Sequence, residues 1–484
     1  MSRLFVFGIG GTGSRIIRSL LMMLASGVRI NAEEVIPIII DPDRANGDLN
    51  RTIEILRLYQ DIHKYAPSGE GFFSTKISSL SDNNASDANN SETGKFLFSV
   101  RNTSDSLFRD MLEFGKLDKP NKALSGLLFS KNNLDADMQE GFKGNPNIGS
   151  VVLNQFSGSE DFKHFASSFR KNDKVFIISS IFGGTGAAGF PLLVKNIRNA
   201  PPELDNHQEL RDATIGAITV LPYFGVSRDP QSQIDKSSFF GKTRAALEYY
   251  YRNITGNNSV NNIYYIGDQI MNDYPNHEGS LEQKNDAHLV EFASALAICD
   301  FLKHKDGNEK TVAKEFGISD YQGSVSFHNL SAGDRKLLEN NLSSFYLFRL
   351  FIHHRINQSV KQQPWAKSGK AKIDAEFLRS GFYSSSLNPF FKHFSEWLAE
   401  LASNKISFKP FYLPEEIIPE QLFEQFIINR APKETLDLPH RNFWKMESAL
   451  NKASRDKRKE THQIRKFLAI FDQASRKTIT KHFN

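Results

Sequence analysis

Two glycine-rich turns, each set between an apolar strand-like run and a helical pattern, constrain this chain more than any other feature. The first, Gly8-Ile9-Gly10-Gly11-Thr12-Gly13, follows the buried-strand pattern of residues 3–7 and leads into the helical apolar pattern of 14–25. The second, Ile181-Phe182-Gly183-Gly184-Thr185-Gly186-Ala187-Ala188-Gly189, follows the apolar run 174–181 and leads into a helix through 191–197. Glycine lets backbone N–H groups approach a phosphate closely, and the helix behind the turn adds the positive end of its dipole. Gly8, Gly10 and Gly13 also satisfy G-x-G-x-x-G, the dinucleotide pattern, and Asp41 ends the next strand, where a ribose-binding acid would lie. A dinucleotide fold needs one such turn and leaves the second unexplained. Two turns on one parallel sheet can face each other across its carboxyl edge and surround a triphosphate.

The pattern around the turns supports a parallel sheet. Residues 35–40 form a second buried strand ending at Asp41-Pro42-Asp43, which completes a βαβ unit. Residues 213–221 and 262–266 read as further strands and 237–252 as a helix; the almost wholly apolar helix at 287–302 must be central. After about residue 303 the strand signal fades. Residues 334–357 and 389–402 read as amphipathic helices with aromatic faces, 405–408 as a short strand cut off by Pro410, and 442–483 as helical and basic. The expected architecture is α/β: a parallel-sheet nucleotide-binding domain over 1–302, then a divergent helix-rich C-terminal region. Within the first domain, the Ser/Asn/Asp tract at 78–94 is a flexible insertion and 285–302 the central helix. A second, mainly helical domain spans 303–440 and a basic helical extension 441–484, a division that suits 484 residues.

Gly183-Gly184-Thr185-Gly186, followed by small residues, is similar to the glycine signature of the tubulin/FtsZ superfamily, Gly-Gly-Gly-Thr-Gly-(Ser/Thr)-Gly. Its surroundings agree over roughly residues 3 to 302. Residues 215–221 with Pro222-Tyr223-Phe224 resemble that family's next strand and loop, and 262–266 with Gly267-Asp268 the strand and turn after it. Lys284-Asn285-Asp286-Ala287 looks like the start of the family's central helix, where an Asn and an Asp meet the guanine. The resemblance implies a GTP/GDP site. Gly10, Gly11, Thr12 and Gly13 form one phosphate loop and Gly183, Gly184, Thr185 and Gly186 the other. Asp41 and Asp43 lie near the sugar or a Mg2+ ion, and Asn285 and Asp286 meet the base. It also implies self-association, because the family's hydrolytic acid comes from the next subunit, on a loop of the form Asn-x-Asp-x-x-(Asp/Glu). Here the departures matter. Phe182 replaces the first glycine of the signature and Ala187 its hydroxyl residue. After residue 302 only Asn329 and Asp334 keep the ends of the acidic spacing, which makes Asp334 the catalytic candidate; Asn133-Leu134-Asp135 is a better string in the wrong place. GTP binding is therefore implied more firmly than slow GTP hydrolysis or filament formation, and divergent bacterial tubulin-like proteins are a nearer likeness than FtsZ. Two alternatives remain: a dinucleotide (NAD)-dependent oxidoreductase using the first turn and Asp41, and a non-hydrolysing nucleotide-sensing scaffold.

Composition narrows the setting. No apolar run reaches the ~18–20 residues of a membrane span. Met1-Ser2-Arg3 runs straight into a strand pattern without a cleavage site, so the expected location is cytoplasmic. A single cysteine, Cys299, excludes an intrachain disulfide and any multi-cysteine metal site and reads as core, while the adjacent His353-His354 cannot chelate as an i, i+4 pair. No metal site is expected from side-chain clusters. The 40 phenylalanines read as core. His288 reads as structural, and Glu291 either pairs with an arginine or faces the nucleotide. The net charge of +5 is uneven: residues 451–484 carry ten Lys/Arg against three Asp/Glu, so the rest of the chain sums to about −2. Phe467, Ile470 and Phe471 form an apolar stripe beside this cationic face. The segment is either a docked helix with solvated charges or a contact for nucleic acid, an anionic membrane or an acidic protein.

Overall fold

Strand β1 (Arg3–Ile9), β2 (Glu34–Ile40) and β4 (Lys174–Ser180) are buried along their whole length, as their near-continuous apolar sequences require for strands covered on both faces. A computed structural model of the chain describes residues 2–67, 69–81, 96–98, 106–138, 142, 144–154, 156–226, 236–268, 273–274, 284–304, 310–315, 323–413, 426–430 and 442–483. With β3 (Lys76–Ile77), β5 (Thr214–Val220), β6 (Asn262–Ile266) and β7 (Val312–Glu315), they form a seven-stranded sheet of order β3-β2-β1-β4-β5-β6-β7, parallel throughout. The expected Ser/Asn/Asp insertion lies outside the described residues from position 82 on.

Helices cover both faces because side chains alternate along each strand. Phe5 and Phe7 meet Phe165 of the helix Glu160–Ser168 edge-on, with centroids 5.2 and 5.0 Å apart. Phe176, in register with Val6, points the other way and meets Phe301, 5.2 Å off, on the central helix α5 (Leu289–Phe301). Helix α1 (Gly10–Ala25) packs along α5 and against α2 (Gly47–His63); α3 (Gly184–Arg198) packs on the helix Pro146–Leu153, and α4 (Lys236–Tyr250) precedes β6. Helix α2 was not expected from the sequence, although the Asn46 cap and the Leu49, Ile53, Leu56 spacing are its signal.

Beyond residue 302 the chain still contributes β7 to the sheet edge, where the alternation of half-buried and exposed positions hides the strand from an apolar-run reading. The rest is helix-rich: α6 (Ala332–His354), α7 (Asn388–Ser403), α8 (Asn442–Asp456) and α9 (Gln463–Phe483), with Ser324–Val325 and Ser407–Phe408 paired as two-residue strands. The basic C-terminal segment is thus two helices. Glu460 interrupts it by accepting from the amides of Thr461 and His462, both at 2.9 Å. Phe471 stacks on Phe348 of α6 at 4.6 Å, and one apolar cluster runs from Leu4 to Phe483. Among the described side chains no phenylalanine is exposed, in keeping with the core reading of this residue.

Candidate functional site

The order of the strands selects the place. Chain connections leave β1 toward β2 and β4 toward β5, so the carboxyl ends of the neighbours β1 and β4 form the topological switch point, where open α/β sheets bind ligands. Both glycine turns emerge there. Gly10 has φ +71°, a left-handed conformation suited to glycine, and a Cβ placed on it would lie 3.6 Å from Thr185 Cβ. The two turns therefore face each other. Ile9 and Gly183, the residues preceding α1 and α3, offer no side-chain acceptor, which leaves the first-turn N–H groups of both helices for a ligand or water. Asn46, by contrast, caps α2 by accepting from Asp48 N and Leu49 N at 2.9 and 3.1 Å.

The glycines serve different purposes. A Cβ on Gly13 would come 2.4 Å from Gly8 C, one on Gly186 2.6 Å from Ser180 O, and one on Gly184 2.9 Å from Asn145 N. These three allow close packing of backbone on backbone. At Gly11 the nearest atoms, Arg15 Nη1 and Asp48 Oδ2, are 3.5 and 3.8 Å away, so a side chain fits there. Thr12 is buried, and Thr185 half-buried.

Beneath the first turn lies a buried ionic network that the sequence patterns did not reveal, because its members are far apart in the chain. Arg15 pairs with Glu291 and with Asp48 Oδ2 (2.7 Å), and its Nη2 donates to Thr12 Oγ1 (3.3 Å) and Tyr223 Oη (3.0 Å). The Tyr223 hydroxyl donates in turn to Glu291 Oε1 at 2.7 Å. Burial opposes the Arg15 charge, but Tyr223, Glu291 and Asp48 together outweigh it and hold the guanidinium protonated. Of the two readings of Glu291, the arginine pair is the one present. His288 caps α5, its Nδ1 accepting from Val290 N at 3.1 Å; burial lowers its pKa and keeps it neutral.

Asn285 adjoins this network. Its backbone N–H donates to Asp48 Oδ1 (3.1 Å), its side-chain amide donates to Asp48 Oδ2 (3.0 Å), and its carbonyl accepts from Arg51 at 2.6 Å. Asp286 is exposed, its carboxyl pushed up by desolvation and by neighbouring Glu400. Asp41 is buried, accepts from Asp43 N at 3.1 Å, and is pushed up to about 8, chiefly by desolvation. At neutral pH it is mostly a protonated acid rather than an open carboxylate. Asp43 accepts from Ala45 N at 3.0 Å in the same loop. Among the described residues no group of three or more His, Cys, Asp or Glu could hold a metal ion.

Asp334 is not part of this assembly. It sits in the first turn of α6, where its N–H donates to Ser331 Oγ (3.1 Å) and its carboxylate accepts from that hydroxyl (2.7 Å). Burial pushes the thiol of Cys299, near the carboxyl end of α5, up to about 12, and the nearby Asp334 carboxylate adds a smaller push in the same direction. A helix of 13 residues is about 20 Å long, so Asp334 and Asn285 lie at opposite ends of α5.

Fold and site together define a doubly wound α/β protein with two glycine turns facing each other at its switch point. No family model matches the chain, and no curated protein matches it. Solved structures do: one is CetZ2 from Haloferax volcanii, in a GTPγS-bound protofilament, at 9% identity and a TM-score of 0.29. The match covers 63% of this chain and 60% of that one. A likeness this distant leaves the ligand to be read from the cleft itself.

Proposed function

We propose that the chain is a tubulin-like guanine-nucleotide-binding protein of the cytoplasm that self-associates and hydrolyses GTP slowly between two copies. The observation that carries the reading is the pair of uncapped helix N-termini, with Gly10 facing Thr185 across the switch point. In this reading the phosphates rest on the N–H groups of Gly10, Gly11, Thr12 and Gly13 and of Gly183, Gly184, Thr185 and Gly186. Asp41 and Asp43 border the sugar side, where a Mg2+ ion would draw Asp41 into its ionised form. Asn285 and Asp286 face the base, Asn285 exchanging its bond to Asp48 for guanine O6. The dinucleotide alternative leaves without a role the second glycine turn, whose Thr185 lies opposite Gly10.

Identification of the nucleotide that copurifies, followed by competitive titration, tests this reading. GTP is expected to bind at least about tenfold more tightly than ATP or NAD, a difference of about 1.4 kcal/mol. Equal affinity for GTP and ATP would remove the guanine assignment, and binding of NAD alone would remove the two-turn cradle. Asp334 lies too far along α5 to serve the cleft of its own chain, so turnover is expected to rise more than linearly with protein concentration. Asp334→Ala should bind GTP and lose turnover; full activity in that variant refutes the role. A nucleotide-sensing scaffold without hydrolysis is the second reading, favoured by the engagement of the Asp334 carboxylate with Ser331. GTP binding with neither turnover nor a rise in light scattering would select it.

A further inference from the structure

A cavity of about 950 Å³ lies beside the second glycine turn, between α3, the helix Pro146–Leu153 and α4 with its continuation. Its origin is legible in the residues. Pro191 stands inside α3 and has no N–H, so the Ala187 carbonyl one turn earlier loses its helical partner. The Tyr250 hydroxyl reaches across from α4 and donates to that carbonyl at 3.1 Å, while its ring packs edge-on against Phe190 at 5.1 Å. Tyr250 thus bridges the two helices at one point. Elsewhere the facing positions are small: Ala187 and Ala188 on α3, Ala245 and Ala246 on α4. Directly after Tyr250 the chain widens into a π-helical turn, Tyr251–Thr255, which turns Asn253 and Ile254 onto the wall.

The volume is within the range of small-molecule sites, roughly 300–1,000 Å³. The lining divides by chemistry. Ile181, Ala188, Leu192, Val194 and Ile254 make an apolar floor, and every charged residue of the wall is a cation: Lys195, Arg198 and Lys242. Among the described residues the wall has no aspartate or glutamate. Arg198 is held in place by carbonyl oxygens, its Nε donating to Ser259 O (2.8 Å) and its Nη1 to Arg211 O (2.7 Å) and Ala213 O (2.8 Å). Burial brings its pKa down to about 10, so at neutral pH it keeps its charge. An apolar floor under a one-signed polar wall suits a ligand that is apolar along its body and negative at one end.

We propose that this cavity binds an amphipathic organic anion, a flat apolar body carrying one carboxylate, phosphate or sulfonate. The site stands whether or not the switch-point cleft takes a nucleotide. The full-length chain is titrated with anilinonaphthalene sulfonate and, in parallel, with its uncharged analogue phenylnaphthylamine, both read by fluorescence. The sulfonate is expected to bind at least about tenfold more tightly. Replacing Lys195 and Lys242 together by Gln should erase most of that preference while leaving the uncharged probe unchanged. Ala245→Trp, at an exposed position on the wall, and Ala246→Trp should weaken both probes, with the melting temperature as control for folding. Equal affinity of the two probes overturns the proposal. So does wild-type affinity in a folded tryptophan variant or in the folded double Gln variant; if neither tryptophan variant folds, the Gln variant decides.

Discussion

Gly11 and Gly186 look alike in sequence and differ in what surrounds them. A Cβ at Gly186 would press on the backbone of Ser180, so Gly186→Val tests folding before it tests ligand binding. Gly11 has ordinary contact distances around it, its nearest neighbours being Arg15 Nη1, Asp48 Oδ2 and Asn46 Nδ2, and a larger side chain there crowds the first turn. Gly11→Leu is therefore expected to fold and to lose about tenfold or more in nucleotide affinity, measured by titration against a melting-temperature control. Wild-type affinity in a folded Gly11→Leu chain would show that the first turn does not cradle phosphate. Asp41 makes a prediction in pH. Its carboxyl is raised from 3.8 to about 8 in the folded chain, so the unfolded chain gives up this proton first. Folding stability from this group is therefore intact below about pH 4 and falls as pH rises toward about 8, levelling off above. Asp41→Asn stays neutral throughout and should flatten that fall. Its melting temperature should drop less between about pH 5 and pH 8 than that of the wild type, by about 2 °C or more. Identical slopes would mean that Asp41 is already ionised in the fold.

At the scale of elements, one carboxylate joins four segments. Glu400, on α7, accepts from Arg18 Nη2 of α1 (2.7 Å), from Arg51 Nη1 of α2 (2.6 Å) and from Ala287 N just before α5 (2.7 Å). Arg18 is 2% exposed, and burial lowers its pKa against the pull of Glu400. Removing the carboxylate strands a buried cation, which costs more than the pair itself contributes. Glu400→Ala should lower stability by about 3 kcal/mol, read from the urea midpoint at constant m-value. The double change Arg18→Met with Glu400→Leu should recover much of the loss, since an apolar pair leaves no charge without a partner. A loss below about 1 kcal/mol for Glu400→Ala would show that solvent reaches Arg18. The same ties bring the C-terminal region into register with the cleft: Trp397 Nε1 donates to Ser19 Oγ at 3.1 Å, and Asn404 to the Ala287 carbonyl at 2.8 Å.

For the whole molecule, the uneven charge acquires a geometry. Phe467, Ile470 and Phe471 are fully buried, Lys466 donates inward to Ala371 O at 2.7 Å, and Arg476 reaches Ser26 O at 3.1 Å. The two C-terminal helices are docked, so deleting residues 451–484 would uncover core and lower the melting temperature. Their outer side and the turn between them still carry Lys452, Arg455, Lys457, Arg458, Lys459 and Lys477, all exposed. The Lys452 ammonium lies within hydrogen-bonding reach of Lys477, and that contact, together with the repulsion of the like charge, lowers the Lys477 pKa. A polyanion contact is tested cleanly only by leaving the helices in place. Lys457, Arg458 and Lys459 replaced together by Gln should keep the melting temperature and weaken binding to duplex DNA. The salt slope should shrink by about one for each phosphate contact removed. An unchanged salt slope would count against the contact. No described helix is long and apolar enough to cross a membrane.

The sequence by itself determined the α/β class, the strands β1, β2, β4, β5 and β6, the central helix and the two glycine turns. Each is a local pattern: a run of apolar residues long enough for a buried strand, a 3.6-residue period, or glycine where backbone must approach backbone. Tertiary structure alone decided the strand order, and with it the switch point that sets Gly10 opposite Thr185. It also decided the company of Arg15, whose partners Asp48, Tyr223 and Glu291 lie up to 276 positions away, and the occupation of Asn285 by Asp48. Charged residues in a sequence carry no sign of burial, because the cost of desolvation is met only by partners that folding brings from elsewhere in the chain. The docking of the basic C-terminal segment followed the same rule: its Phe467, Ile470 and Phe471 stripe was visible in the sequence, and the Phe348 surface that receives it, more than a hundred residues away, was not.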